Sequence, residues 1–293
     1  MPAQPLKRPP IRATLRVLGA LLLAYGAFVL LMAGCQRHYI YFPATESRPA
    51  LENKAGELDM VPWIDPDDQA FLGWRPEAGQ AEPPGRRMVV FHGNAGNALD
   101  RTYFADCFST VGGGAGEWEV FLFEYPGYGA RAGAPSEATF VEAADRAVET
   151  LLDEDDRPLY LLGESLGSGV ATRLARNRPE RIAGLVLITP FTDLAAVGRA
   201  HFPFLPVGLL LRDRYDNVAN LRDYRQPVAI LLAGQDEVVP ARLGRTLHEN
   251  YRGPKKLWVQ EGASHNTLLH RPGDPIWQEM TEFLDPPPPP AAR

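Results

Sequence analysis

Leu159-Tyr160-Leu161-Leu162-Gly163-Glu164-Ser165-Leu166-Gly167-Ser168-Gly169 is the stretch from which the chain is best read. Four consecutive apolar residues are too few for a helix and do not alternate, as in a strand covered on both faces. They run into Gly-Glu-Ser-Leu-Gly, the pattern of a nucleophile elbow, and a helical pattern follows from Leu166 to Asn177. A serine on a sharp strand-to-helix turn takes a strained backbone conformation, with neighbours so close that side chains beside it would clash. Hence the flanking glycines. The helix that follows turns its N-terminal dipole toward negative charge forming near the serine. The five-residue pattern alone recurs by chance, and its strand–turn–helix setting supplies the specificity. A plain small-residue turn is the competing reading.

Outward from this point, other short apolar runs alternate with helical patterns. Strand candidates are Met88–Phe91, Val120–Phe123, Leu185–Ile188, Val228–Leu232 and Leu257–Val259. Helical patterns occupy Ser136–Asp153, with Ser136 placed to cap, and Ala241–Tyr251. Alternating buried strands and helices predict an α/β fold, with a mostly parallel sheet wound by right-handed crossovers. The rhythm fails from Phe191 to Leu221, where prolines interrupt an apolar run. Residues 191–221 are therefore a candidate short lid, with a surface helix or membrane-contacting patch as the plainer alternatives.

A serine hydroxyl needs an adjacent base, itself oriented by a carboxylate. His265 follows the last strand candidate and Asp236 follows the one before it, so the order Ser165, Asp236, His265 is the one this fold uses. Rivals are His270, which falls in the next helical stretch, Glu237 beside Asp236, and Asp193 after an earlier strand. One oxyanion donor is the backbone N–H of Leu166. The second belongs to the loop His92-Gly93-Asn94-Ala95-Gly96-Asn97, from Asn94 or its neighbour Ala95. That loop lacks the lysine a phosphate-binding loop requires. His92 reads as structural.

Both termini stand apart. The first 34 residues hold Lys7, Arg8, Arg12 and Arg16 and no acid, and Val17–Gly34 is an uncharged run of 18 residues. Basic-then-apolar order predicts a secretory signal or a single membrane helix, with a buried core helix as the plainer alternative. Met32-Ala33-Gly34-Cys35 resembles a lipobox, which implies cleavage before Cys35 and its lipidation. An uncleaved anchor is the alternative. Either way the basic flank stays cytoplasmic and the remainder is extracytoplasmic, periplasmic if the cell is bacterial. With Cys35 so occupied, Cys107 has no intrachain partner, and two cysteines so far apart offer no structural zinc site. At the other end Asp285 precedes Pro286–Pro290, read as a tail. The domain reading is thus 1–37 leader or anchor, 38–285 one α/β domain, and 286–293 tail.

Composition agrees with this division. The 293 residues are 45% apolar and 23% charged, close to globular averages, although length alone would suggest two domains. The formal charge of −6 combines the four positive charges of the leader with a remainder of −10, which argues against a nucleic-acid partner. Glycine and proline number 27 and 28, well above average usage, and concentrate in the tail, the 92–97 loop, the 125–129 turn and the serine elbow.

With His92–Asn97, Glu124-Tyr125-Pro126-Gly127-Tyr128-Gly129 and Gly163–Gly169 in one chain, the sequence resembles the α/β-hydrolase superfamily across most of 38–285. Tyr41-Phe42-Pro43 just after an apolar helix makes it similar to the small membrane-anchored branch. That branch includes depalmitoylase-like thioesterases and lysophospholipases. The resemblance implies a Ser165–Asp236–His265 triad, hydrolysis of an ester or thioester through an acyl-enzyme, and neither metal nor cofactor. A lid at 191–221 over an acyl pocket would favour lipid-like or small apolar acyl groups. Depalmitoylases of the branch carry an N-terminal cysteine cluster where this chain has only Cys35. A serine peptidase of the prolyl or aminopeptidase type is the alternative on the same fold, and a non-catalytic tethered binding protein a more distant one.

Overall fold

The computed structural model describes residues 11–77, 84–111, 118–268 and 271–286. Lys7, Arg8, His270 and the proline run beyond Pro286 lie outside them. Eight strands form one sheet: β1 (Met60–Ile64), β2 (Phe71–Pro76), β3 (Arg86–Phe91), β4 (Trp118–Phe123), β5 (Leu159–Glu164), β6 (Ile182–Ile188), β7 (Val228–Ala233) and β8 (Lys255–Gln260). Their spatial order is β8-β7-β6-β5-β3-β4-β2-β1. Strands β3 to β8 are parallel, while β2 pairs antiparallel with both β1 and β4. All six strand candidates are present, each extended by one to three residues.

The apolar runs are continuous because each strand feeds two cores. Val89, Phe91, Phe121, Phe123, Leu159 and Leu161 pack on one face of the sheet. Met88, Val90, Val120, Leu122, Tyr160 and Leu162 pack on the other. Helices cover both faces. They include α4 (Glu137–Glu154) and α5 (Gly167–Asn177), with the helices Ala241–Asn250 and Pro275–Leu284 nearer the C-terminus. Ser136 caps α4 as expected, its Oγ accepting from the Thr139 N–H at 3.1 Å.

The antiparallel edge was not anticipated. Strand β1 contains Pro62, which a central strand would not tolerate but an edge strand does. Its burial mixes buried and half-buried residues, so no continuous apolar run announces it. Two short helices, α2 (Arg48–Gly56) and α3 (Thr102–Ser109), likewise lack a long periodic signal.

The N-terminal helix α1 runs unbroken from Ile11 to Ile40. It is the one helix among the described residues long and apolar enough to cross a membrane, and its leucines at 21, 22, 23, 30 and 31 are exposed. The boundary read at residue 37 falls inside it, since its final turns pack on the α/β body. Gln36 is buried, and its side chain donates to the Leu210 carbonyl at 3.1 Å and accepts from the Arg212 N–H at 2.8 Å. Arg37 Nε pairs with Asp213 at 3.1 Å. The chain leaving α1 pairs in parallel with the 92–97 loop, Phe42 opposite Ala95 and Pro43 opposite Gly96.

Both cysteines are free thiols, Cys35 half-buried on α1 and Cys107 buried. Burial, with Asp106 and Asp274 adding repulsion, pushes the Cys107 thiol up to about 12. At pH 8 only about one molecule in ten thousand would then carry the reactive thiolate. Iodoacetamide is therefore expected to leave Cys107 unmodified in the native protein and to modify it after denaturation, read by mass spectrometry.

Candidate active site

Strand β5 ends at Glu164, and the chain reverses at once into α5. Ser165 sits on that corner with φ +51°, the left-handed region a non-glycine residue seldom occupies. Its N–H is held by the Ile188 carbonyl at 2.8 Å, and its own carbonyl accepts from Ser168 Oγ at 2.6 Å. Close approach explains the glycines. A Cβ on Gly167 would lie 2.0 Å from the Phe91 carbonyl oxygen, and one on Gly163 only 2.6 Å from the Gly167 carbonyl oxygen. Any side chain at either position would push the turn off the sheet.

Asp236 and His265 come from the loops after β7 and β8. His265 Nδ1 lies 2.7 Å from Asp236 Oδ2, and the Asp236 side chain is only 1% exposed. Its other oxygen accepts from the N–H groups of Val238 at 2.9 Å and Val239 at 2.6 Å. The carboxylate is thus pinned by two backbone donors and aims its remaining oxygen at the imidazole. What lets these loops meet is Gly234: a Cβ there would come within 2.6 Å of the Glu261 backbone. Replacing Gly234 with valine is expected to move Asp236 away from His265 and lower kcat about 100-fold, the usual cost of a displacement near 1 Å. An unchanged far-ultraviolet circular dichroism spectrum would distinguish this from loss of the fold.

The rivals are occupied elsewhere. Asp193 caps the helix α6 (Leu194–His201) by accepting from the Ala196 N–H at 2.8 Å. Glu237 is exposed. His92 is buried against the rings of Tyr125 and Tyr128, with Nδ1 at 2.8 Å from the Gly93 carbonyl. It holds the loop rather than facing Ser165's cavities.

The 92–97 loop is fastened on several sides. Asn94 Nδ2 donates to the Ile40 carbonyl at 2.7 Å, and the Asn94 carbonyl accepts from the Tyr128 hydroxyl at 2.7 Å and the Phe42 N–H at 2.8 Å. Tyr125 donates to the His92 carbonyl at 2.9 Å. The Glu-Tyr-Pro-Gly-Tyr-Gly turn therefore serves as a clamp on the candidate oxyanion loop. A second clamp centres on Glu164, whose role the sequence reading missed. Its carboxylate accepts from Arg101 Nε at 2.6 Å, the Tyr103 hydroxyl at 3.1 Å and the Gly93 N–H at 3.1 Å. A charged residue at the end of a buried strand is the available signal, but its partner Arg101 is 63 residues away and carries none.

Ser165 is shared by two cavities. One, of about 300 Å³, is apolar; Ser165, Leu166 and Asn94 meet Met32, Ala33, Gln36 and Ile40 of α1 there, with residues from 191 to 211 opposite. The other, of about 460 Å³, is polar and lined by Asn94, Ala95, Arg101, Tyr103, Glu164 and His265 with their neighbours. All five predicted site residues, Ser165, Leu166, Asn94, Asp236 and His265, are thus gathered at the C-terminal ends of the parallel strands. Cys35 lies on α1 and lines neither cavity.

A doubly wound sheet in this order, with a strained serine at the end of its central strand, defines a class. The chain belongs to the α/β-hydrolase superfamily. The family model of the α/β-hydrolase fold matches residues 86–206. Over 275 residues the chain is 34% identical to the uncharacterized protein Rv2307c of Mycobacterium tuberculosis, covering 92% of this chain and 94% of that one. It is 31% identical over 207 residues to the lysophosphatidylserine lipase ABHD12 of Rattus norvegicus, covering 63% of this chain and 50% of that protein. Among solved structures, the Pyrococcus furiosus esterase Pf2001 superposes with a TM-score of 0.59 at 16% identity, over 84% of this chain and 96% of that one. That likeness is one of fold.

Proposed function

We propose that this protein is a membrane-anchored serine hydrolase that cleaves esters or thioesters of lipid-like acyl groups. The observation that carries the reading is the position of Ser165 where an apolar cavity meets a polar one. An acyl chain fits the first and a polar leaving group the second. The lipase relatives, of whose length the chain covers half, are named for lysophosphatidylserine, a substrate of that make-up.

In this mechanism Ser165 Oγ attacks the acyl carbon while His265 Nε2 takes its proton, with Asp236 holding the Nδ1–H and stabilising the imidazolium. The N–H groups of Leu166 and Asn94 receive the oxyanion, a task worth about 2.7–4 kcal/mol per donor in other hydrolases. His265 then protonates the departing alcohol or thiol. Water, deprotonated by the same imidazole, attacks the acyl-enzyme and releases the acid with Ser165 restored.

We read α1 as an uncleaved anchor. Cleavage before Cys35 would remove Met32 and Ala33 from the wall of Ser165's cavity. The basic residues before the apolar run support an orientation with the catalytic body outside the cytoplasm. Metabolic fatty-acid labelling is expected to leave the chain unlabelled at Cys35, and a label lost in Cys35→Ala would return the lipobox reading.

The test of function is a panel of p-nitrophenyl and monoacylglycerol esters of rising chain length beside aminoacyl and prolyl p-nitroanilides. Hydrolysis of esters, with preference beyond short chains, is expected. Turnover of the anilides alone would favour the peptidase alternative.

A further inference from the structure

Residues 202–211 read Phe-Pro-Phe-Leu-Pro-Val-Gly-Leu-Leu-Leu, ten residues without a polar side chain, in a segment that faces solvent on one side. Phe204 is 59% and Leu209 86% exposed. Stranded in water, such a patch is unfavourable. It is not isolated, however. Phe204 packs its ring on Phe28 of α1 at 6.5 Å, and its carbonyl accepts from the Tyr25 hydroxyl at 2.7 Å. The patch therefore continues the exposed leucine face of α1.

Depth follows from helix geometry. Arg16 and Arg37, the charges that bracket the apolar part of α1, are about 31 Å apart along a helix, which matches a hydrocarbon core of about 30 Å. With Arg37 at the surface, Tyr25 and Phe28 lie about 14–18 Å further along the axis, and Phe204 lies at their level.

Irregular backbone at such a level is tolerated only when its polar groups are satisfied within the protein. Those of 202–211 largely are. Pro203 and Pro206 carry no N–H, and the N–H groups of Phe202, Leu205, Val207, Leu209, Leu210 and Leu211 donate to carbonyls at 2.8–3.3 Å. Tyr25, Gln36 and Arg214 donate to the carbonyls of Phe204, Leu210 and Gly208. A loop built for water has no need of this closure.

We infer that residues 202–211 are immersed in the same bilayer leaflet that α1 enters, so that the apolar cavity between them opens to lipid and takes its acyl chain sideways from the membrane. This rests on α1 as a retained anchor. The occupant of the patch is the lipid surface, because the patch is continuous with a helix of membrane-spanning length.

The test uses the full chain in phosphatidylcholine–phosphatidylglycerol vesicles, with Cys35→Ser and a single new cysteine labelled with a nitrobenzoxadiazole fluorophore. Leu209→Cys is the probe. Arg252→Cys, exposed just before β8 at the opposite end of the strands, is the aqueous reference. Lipid-borne doxyl groups are expected to quench the label at 209 and aqueous iodide the label at 252. Iodide quenching at 209 equal to that at 252 overturns the inference. Fluorophosphonate labelling of Ser165, measured on the same samples, reports separately whether the hydrolase reading stands. In Phe204→Glu/Leu209→Glu, neither residue of which lines the cavity, the rate on a long-chain ester in vesicles relative to a short soluble ester is expected to fall more than about tenfold. An unchanged ratio counts against the inference.

Discussion

Exchanging Ser165 for alanine is expected to lower kcat toward esters by about a million-fold, the scale seen when a triad nucleophile is removed elsewhere. The substitution removes one oxygen and leaves the turn intact. Alanine has the same Cβ, so the strain of φ +51° and the hydrogen bond from the residue-165 N–H to Ile188 are carried over. Loss of activity without loss of stability is the expected signature. It is checked by kcat on p-nitrophenyl butyrate, by the thermal midpoint, and by fluorophosphonate labelling, which should vanish in the variant and be stoichiometric in the native protein. A folded native protein that takes no label would end the serine-hydrolase reading.

Asp236→Asn is expected to lower kcat by about ten-thousand-fold with little change in fold. The asparagine carbonyl can still accept from the N–H groups of Val238 and Val239, so the loop keeps its shape. Its amide then points donors at His265 Nδ1, where the carboxylate oxygen had been an acceptor at 2.7 Å. The imidazole answers by moving its proton to Nε2, the atom that must be empty to accept the serine proton. The wrong tautomer, more than the lost charge, is what stops the reaction. A KM near the native value with a collapsed kcat is the expected split, because Asp236 lines neither cavity.

The parallel core was legible because burial on both faces forces continuous apolar runs of the kind seen at 88–91 and 159–162. The edge was not, since β1 mixes buried with half-buried residues around Pro62, and β2 buries only the short stretch Leu72-Gly73-Trp74. Ser165, Asp236 and His265 could be placed because each belongs to a strand end, and strand ends meet at one edge of a parallel sheet. Glu164 with Arg101 and Tyr103 escaped notice because a clamp across 61–63 residues leaves no spacing to find. The wall that α1 lends to the cavity was hidden for a different reason. An apolar run long enough to span a bilayer looks the same whether its last turns end in lipid or against a protein.

That join has a consequence for where the protein can work. Ile40, the last residue of α1, receives the Asn94 side chain, and Phe42 two residues on holds the Asn94 carbonyl. A protease cutting near residue 35 would free the catalytic body and at the same stroke take Met32 and Ala33 out of the wall of its cavity. On the proposed reading of α1 as a retained anchor, a hydrolase assembled in this way would not be shed as a diffusible working enzyme, and its reach would be limited to molecules that share its membrane.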